Sequence, residues 1–253
     1  MKNRWSWLAV GVGAYLAFAL STFPAGTAVH WFVPPPVLLS GIQGTVWSGS
    51  AASGTIGGLS IQDVRWHVRP WTLLTGRVGA NVEARLADGF LNTGITASPS
   101  RVQFSDLRGG TSLATVASLL PVRGLSGQAT VALSSLELEN GWPAHIVGEL
   151  KLAALQVAAF VPSGKSGSLV PLGDYTVTFG EAPARSIGAR FIDNGGPLEV
   201  AGMLALSAAR EYTFDALIKP RDSASRDLVD GLNIMTSDPD SNGRRRLTLT
   251  GSL

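Results

Sequence analysis

Residues 77–86 read Arg77-Val78-Gly79-Ala80-Asn81-Val82-Glu83-Ala84-Arg85-Leu86. Val78, Ala80, Val82, Ala84 and Leu86 alternate with Arg77, Gly79, Asn81, Glu83 and Arg85, which is the period of a strand with one face buried and the other in water. The alternation recurs downstream. Ile146, Gly148, Leu150 and Leu152 stand against His145, Glu149 and Lys151, and Leu198, Val200, Gly202, Leu204 and Leu206 form another row. Tyr212, Phe214, Ala216 and Ile218 stand against Glu211, Thr213 and Asp215, and Leu247, Leu249, Gly251 and Leu253 against Arg246, Thr248 and Thr250. Such one-sided polarity belongs to antiparallel strands, because a parallel sheet is covered on both faces.

Elsewhere the phase changes within a strand. Val131 and Leu133 belong to one phase, Leu136 and Leu138 to the other, with Ser134-Ser135 at the switch, and a bulge there would bend the sheet. Two segments read as short helices: Leu113, Val116, Ala117 and Leu120 ended by Pro121, and a run with Leu228, Leu232 and Met235 that Asp222 or Ser223 can cap. No long helix exists downstream to cover the apolar strand faces. The expected fold is mainly β, a mostly antiparallel sheet that covers its own face by curling like a taco or folding over as a sandwich.

Working outward to the start of the chain, the run Trp5 to Phe23 holds 19 residues without a charge, about 28 Å as a helix and close to the hydrocarbon thickness of a bilayer. Lys2 and Arg4 flank it on one side, and no charge follows on the other until Asp63. The positive-inside bias then puts residues 1–4 in the cytoplasm, 5–23 in the membrane as a single anchor and the bulk across it. Trp5 and Trp7, with His30-Trp31-Phe32, suit the two interfaces. A cleaved signal peptide is the rival reading, since Ala17-Phe18-Ala19 has the small-x-small form of a cleavage site. A buried core helix is a third. Pro34-Pro35-Pro36 make Val33 to Val37 extended and stiff, within a Pro-rich spacer over residues 24–40, which leaves 41–253 as one exported β-rich domain.

Composition narrows the function classes. Zero Cys excludes disulfides, thiolate catalysis and Cys-ligated zinc and is compatible with an oxidising, periplasm-like compartment. A net charge of +2 is too small to imply nucleic acid. His30, His67 and His145 are scattered, with no ligand-spaced partner to close a metal site. Ser163-Gly164-Lys165-Ser166 has the tail of a phosphate-binding loop, but Ala159 stands where the loop needs Gly. Ser126 lacks the setting of a nucleophile elbow. Asp193-Asn194-Gly195-Gly196-Pro197 is first of all turn chemistry, although Asp193 can be read as a catalytic carboxylate. Arg244-Arg245-Arg246 reads either as a solvated strand start or as a contact for anionic lipid or an acidic partner. Trp47, Trp66, Trp71 and Trp142 read as core packing or as the lining of an apolar groove. No enzyme is visible, and no catalytic, cofactor-binding or metal residue is assigned.

Several short motifs occur in a telling order. Gly44-Thr45-Val46-Trp47-Ser48-Gly49 precedes Val64-x-Trp66 and Pro70-x-x-Leu73-Leu74-x-Gly76. Leu172-Gly173-Asp174-Tyr175, the block Asp193 to Val200 with Gly202, Pro220-Arg221 and Gly243-Arg244 then follow. With the basic N-terminus and single anchor, this order resembles the type II secretion system protein N family over essentially the whole chain. The resemblance implies a single-pass inner-membrane protein with its bulk in the periplasm, an accessory component that docks other secretion subunits and has no cofactor. The Trp, Pro, Leu-Leu and Gly segment also resembles membrane-anchored AsmA-like proteins, whose curled sheets hold lipid. A lipid-binding or lipid-transfer module, with phospholipid as its partner, is the alternative.

Overall fold

The computed structural model describes residues 2–32, 37–117, 124–158, 169–180, 186–207 and 209–252. Among these residues thirteen strands follow one another in chain order, each antiparallel to the last, within a single sheet. They are β1 Val37–Gly44, β2 Ser48–Ile56, β3 Leu59–Arg69, β4 Val78–Leu86, β5 Gly89–Ala97, β6 Arg101–Ser112 and β7 Leu125–Glu139, then β8 Trp142–Ala158, β9 Leu169–Gly180, β10 Ser186–Asp193, β11 Leu198–Ser207, β12 Glu211–Pro220 and β13 Arg245–Ser252. β1 and β13 do not pair with each other, so the sheet is a single one and is not a closed barrel. Its accessible surface is 16382 Å², against roughly 10,600 Å² for a compact monomer of this mass. The fold is open.

The register places one apolar face across the whole sheet. From one edge it runs Ile42 to Ala51 to Val64, then Trp66 to Val82 and Ala84 to Leu91. Past β6 it continues from Val131 to Leu150, Val177, Phe191, Gly202, Ala216 and Leu247. Paired residues in a ladder share a face, so this row is the inner face, and the charged members of each alternation point outward.

Sequence period alone would not keep that row on one side. Three non-glycine residues in mid-strand have left-handed backbone, Asp63 at φ 47°, Asp106 at φ 50° and Ala154 at φ 50°. Each is an extra residue. The ladder skips from Gln62 to Arg65 in β3 and from Leu152 to Leu155 in β8, and β5 meets a skip in β6 between Arg108 and Ser105. A further bulge falls between Leu133 and Ser135, at the phase switch expected from Ser134-Ser135. Its effect is to keep Leu133 and Leu136, three apart, on the same face, opposite Gly148 and Ile146. Aspartate is among the residues that best tolerate the left-handed region. Ala154 does not, and its amide is held by Asp174 Oδ1 at 2.7 Å.

The inner face is covered in two places. Ala51, Ile61, Val64 and Ala84 form a cluster under Leu39, Ile42, Trp66 and Val82. A larger cluster joins Leu113, Leu155, Tyr175, Leu198, Val200, Ala216 and Ile218 with Leu232 of α3, Arg226–Met235. The cap of α3 is Ser225, whose Oγ accepts the Leu228 amide at 3.3 Å, rather than Asp222 or Ser223. The expected helix around Leu113 is not formed by the described residues. Leu113–Val116 is a turn, and the i, i+3 spacing puts Leu113 and Val116 into the core without one; Leu120 and Pro121 lie outside the described residues.

The N-terminal arm corrects another expectation. Helix α1 runs Lys2–Ser21, and α2, Ala25–Phe32, occupies the first part of the Pro-rich spacer, ahead of the segment expected to be extended. Val33 to Pro36 lie outside the described residues. Among the described residues no helix is long and apolar enough to cross a membrane. Helix α1 has 20 residues; Lys2, Asn3 and Arg4 at its start are polar, and Ser6, Gly11, Gly13, Tyr15 and Ser21 dilute the apolar part. It stops short of Phe23 because the chain turns at Pro24, which bridges to Thr45.

Gly148 tests the bulged register. At φ 142°, a Cβ there would lie 2.4 Å from the Ala132 carbonyl oxygen and 2.5 Å from Leu133 Cα, whereas Gly180 has open space around it. Urea unfolding should show Gly148→Ala destabilised by about 2 kcal/mol or more and Gly180→Ala within about 1 kcal/mol of the parent. Equal effects would contradict the register.

Candidate functional site

Among the described residues no group of three or more His, Cys, Asp or Glu could hold a metal ion. His67 is exposed on the outer face of β3, His145 sits in β8 opposite Glu137, and His30 lies in α2. Ser163 to Ser166 lie outside the described residues. Ser126 is in β7 with its buried Oγ unpartnered among the described residues. The four tryptophans downstream of the arm line no common groove. Trp47 donates from Nε1 to the Leu20 carbonyl at 2.7 Å, and Trp66 donates to the Thr45 carbonyl at 3.3 Å. Trp142 stacks under the Arg210 guanidinium, and Trp71 is exposed.

Asp193 closes the β10–β11 turn and does no visible chemistry. Its Oδ1 accepts the Val200 amide at 2.8 Å, and its Oδ2 receives Arg221 Nη2 at 2.6 Å. The Arg221 Nη1 donates to the carbonyls of Gly196 at 2.9 Å and Leu198 at 3.0 Å. Burial pushes the Asp193 carboxyl up, but the Val200 amide, the Arg221 guanidinium and the Gly195 amide together outweigh burial and hold it below its ordinary range. Beside it, burial and then the Asp193 charge push the Tyr175 hydroxyl up to about 12. That hydroxyl donates to the Leu172 carbonyl, and the ring stacks on Phe191 at 4.9 Å. Gly173 and Gly196 meet backbone to backbone, where a Cβ on Gly173 would come within 2.5 Å of the Gly195 carbonyl oxygen.

The distant sequence motifs converge here. Leu172 to Tyr175, Asp193 to Val200 and Pro220-Arg221 form one lock at the end of the sheet that carries α3. Thr45 to Gly49 and Trp66 meet at the other end, where the N-terminal arm attaches. Gly49 is required there by the Trp66 indole, 2.4 Å from where its Cβ would stand.

On the β10 to β13 side, two features of the described residues are free for a partner. The first is an outer-face strip on β10 to β12, where Ile192, Met203 and Leu217 are exposed by 42%, 63% and 42%. It lines a shallow groove of about 560 Å³ bordered by Arg190, Asp215 and Arg246. The second is the β13 edge beside it. Arg246 turns its amide and carbonyl outward, where Ser237 engages both, so Thr248 and Thr250, two and four residues on, present theirs in the same direction. Nothing among the described residues pairs with those groups. The opposite edge is blunter, because α2 lies near β1, Pro24 bridges to Thr45, and Gly41 is left-handed at φ 67°. Each arginine of the Arg244 to Arg246 run already has a partner. Arg244 reaches Glu199 at 3.3 Å, Arg245 the Ser237 carbonyl at 3.3 Å, and Arg246 both oxygens of Asp215.

This is a single-sheet antiparallel β protein with a helical N-terminal arm. Residues 35–248 match the family described as Type II secretion system (T2SS), protein N, and the chain belongs to that family. A protein of Aeromonas hydrophila named Type II secretion system protein N is 27% identical over 262 residues, which covers 100% of both chains. No solved structure matches. The family is one of secretion components and is not known as an enzyme family.

The lock sets a pH dependence. A carboxyl whose folded pKa is depressed adds stability that is present above its unfolded pKa and lost as pH falls through the folded value. Stability should therefore fall as pH drops below the ordinary carboxylate range, near 3.8 for Asp193. Arg221→Met should cost about 2–3 kcal/mol at neutral pH, less than a fully buried pair because Arg221 is 37% exposed, and should flatten that acid limb. Urea titrations of both proteins across the acid range check this.

Proposed function

We propose that this chain is a non-enzymatic accessory or scaffold component of the type II secretion system, which docks another secretion subunit on the β13 edge and the outer strip next to it. The observation that carries this reading is the continuity of the two features. A strand added beside β13 would hydrogen-bond to Thr248 and Thr250 and extend the outer face that already exposes Met203 and Leu217. Backbone pairing supplies the affinity and the apolar strip the register. The relative's name supports membership of the same machine. The proposed setting is the cell envelope, with α1 associated with the inner membrane and the sheet on the periplasmic side.

The lipid-carrier alternative lacks support. Leu228 and Leu232 of α3 fill the inner face at its most buried end, and the apolar groove bordered by Arg190, Asp215 and Arg246 is on the outer face.

Thr250→Pro removes one outward amide without breaking a ladder bond to β12, and Met203→Asp puts a charge in the strip. Each should reduce secretion of a folded cargo several-fold in cells while leaving stability within about 0.5 kcal/mol. Cross-links from a photoreactive residue at Thr250 to another secretion subunit should disappear in Met203→Asp. Unchanged secretion and cross-linking with both variants would overturn the docking site.

A further inference from the structure

The connection from β3 to β4 is a second apolar outcrop that the docking reading does not use. It is a 3-10 turn, Pro70–Thr75, and exposes Trp71 by 78%, Leu73 by 42% and Leu74 by 86%. An exposed cluster of this kind marks an interaction site. We propose that this turn is a membrane-contact loop, whose Trp71 and Leu74 insert into the interfacial region of a bilayer carrying anionic headgroups.

Three observations fit a lipid surface. The loop is braced from within, although its first turn has no side-chain cap. Thr72 Oγ1 donates to the Arg69 carbonyl at 2.7 Å and accepts the Gly79 amide at 2.8 Å. Thr75 Oγ1 donates to the Thr72 carbonyl, and left-handed Gly76 at φ 70° returns its amide to Leu73. The largest side chains left outside are the apolar ones, Trp71 and Leu74, and a turn that bonds most of its backbone internally loses less on leaving water. The flanks carry Arg69 and Arg77, with no Asp or Glu between Asp63 and Glu83. That places basic charge at headgroup depth beneath an amphipathic Trp. Lastly, the loop stands at the end of the sheet where the arm attaches. The Trp47 indole holds the Leu20 carbonyl of α1, the Val46 amide holds the Phe23 carbonyl, and the Val68 amide, just before the loop, holds the Trp47 carbonyl at 2.7 Å. The exposed apolar residues Val10, Val12, Phe18 and Leu20 of α1 therefore lead to the same end as Trp71 and Leu74. With two contacts, the sheet would be held at a fixed orientation to the membrane instead of swinging on one arm.

The absence of Cys makes the test direct. The full chain carrying Leu74→Cys, labelled with an apolar fluorophore, is reconstituted into vesicles of phosphatidylethanolamine with a minority of phosphatidylglycerol. Ala87→Cys is the control, since the β4–β5 turn lies at the opposite end of the sheet. Nitroxide-bearing lipids should quench the label at Leu74 several-fold more than at Ala87, and Arg77→Glu should reduce that excess. Equal quenching at the two positions overturns the proposal, as does a protein that fails to float with the vesicles. Protection of the Leu74 label that arises only when another secretion subunit is added also overturns it, and would make the loop a protein-docking site. The β13 docking site is tested separately and stands or falls on its own variants.

Discussion

A sheet that is apolar on one face, with the ten-residue α3 laid against its larger core among the described residues, must keep its apolar side chains on that face or expose them. Strict alternation is interrupted in β3, β6, β7 and β8, the last two being 15 and 17 residues long. The left-handed residues Asp63, Asp106 and Ala154, with the bulge at Ser134, relieve this constraint. Each inserts one residue, shifts the sequence phase and bends its strand, so that Ile61 and Val64, Leu133 and Leu136, and Leu152 and Leu155 remain on the covered side. The cost of a left-handed non-glycine residue, about 1 kcal/mol, is offset by keeping a leucine or valine out of water, worth about 1.5–3 kcal/mol for each fully buried side chain.

Much of this was legible in the residues. The period of two marked the strands, one-sided polarity marked them as antiparallel, and Ser134-Ser135 marked a bulge. Asp63, Asp106 and Ala154 were not legible, since no residue type announces a bulge inside an otherwise alternating strand. Strand order was hidden for a related reason: alternation tells which face is buried and is silent on neighbours, so the simple meander and its two edges came only with the structure. The arm shows the opposite error. An uncharged run says nothing of where a helix begins or stops, and Lys2 at one end with Pro24 at the other shortened its apolar part.

The candidate site was hidden further still. Arg244 to Arg246 look like a basic patch in sequence, yet Glu199, the Ser237 carbonyl and Asp215 take all three. Met203 and Leu217 look like ordinary strand hydrophobics, although they lie on the outer phase. The two ends of the sheet divide the work physically. The end with Tyr175, Asp193 and Arg221 is knit by charge-assisted hydrogen bonds around closely packed glycines, and the end with Trp47 and Trp66 joins the arm to the sheet. Between them the β13 edge keeps backbone groups unpaired.

Hydrogen–deuterium exchange resolved at single amides, on the full chain alone and then with other subunits of the secretion system, addresses that edge most directly. Fast exchange at Thr248 and Thr250 beside slow exchange in β7 to β9, followed by protection of those two amides on adding the subunits, is the predicted result. Slow exchange at Thr248 and Thr250 in the isolated chain, or no change when the subunits are added, would contradict an open edge that serves as the docking strand.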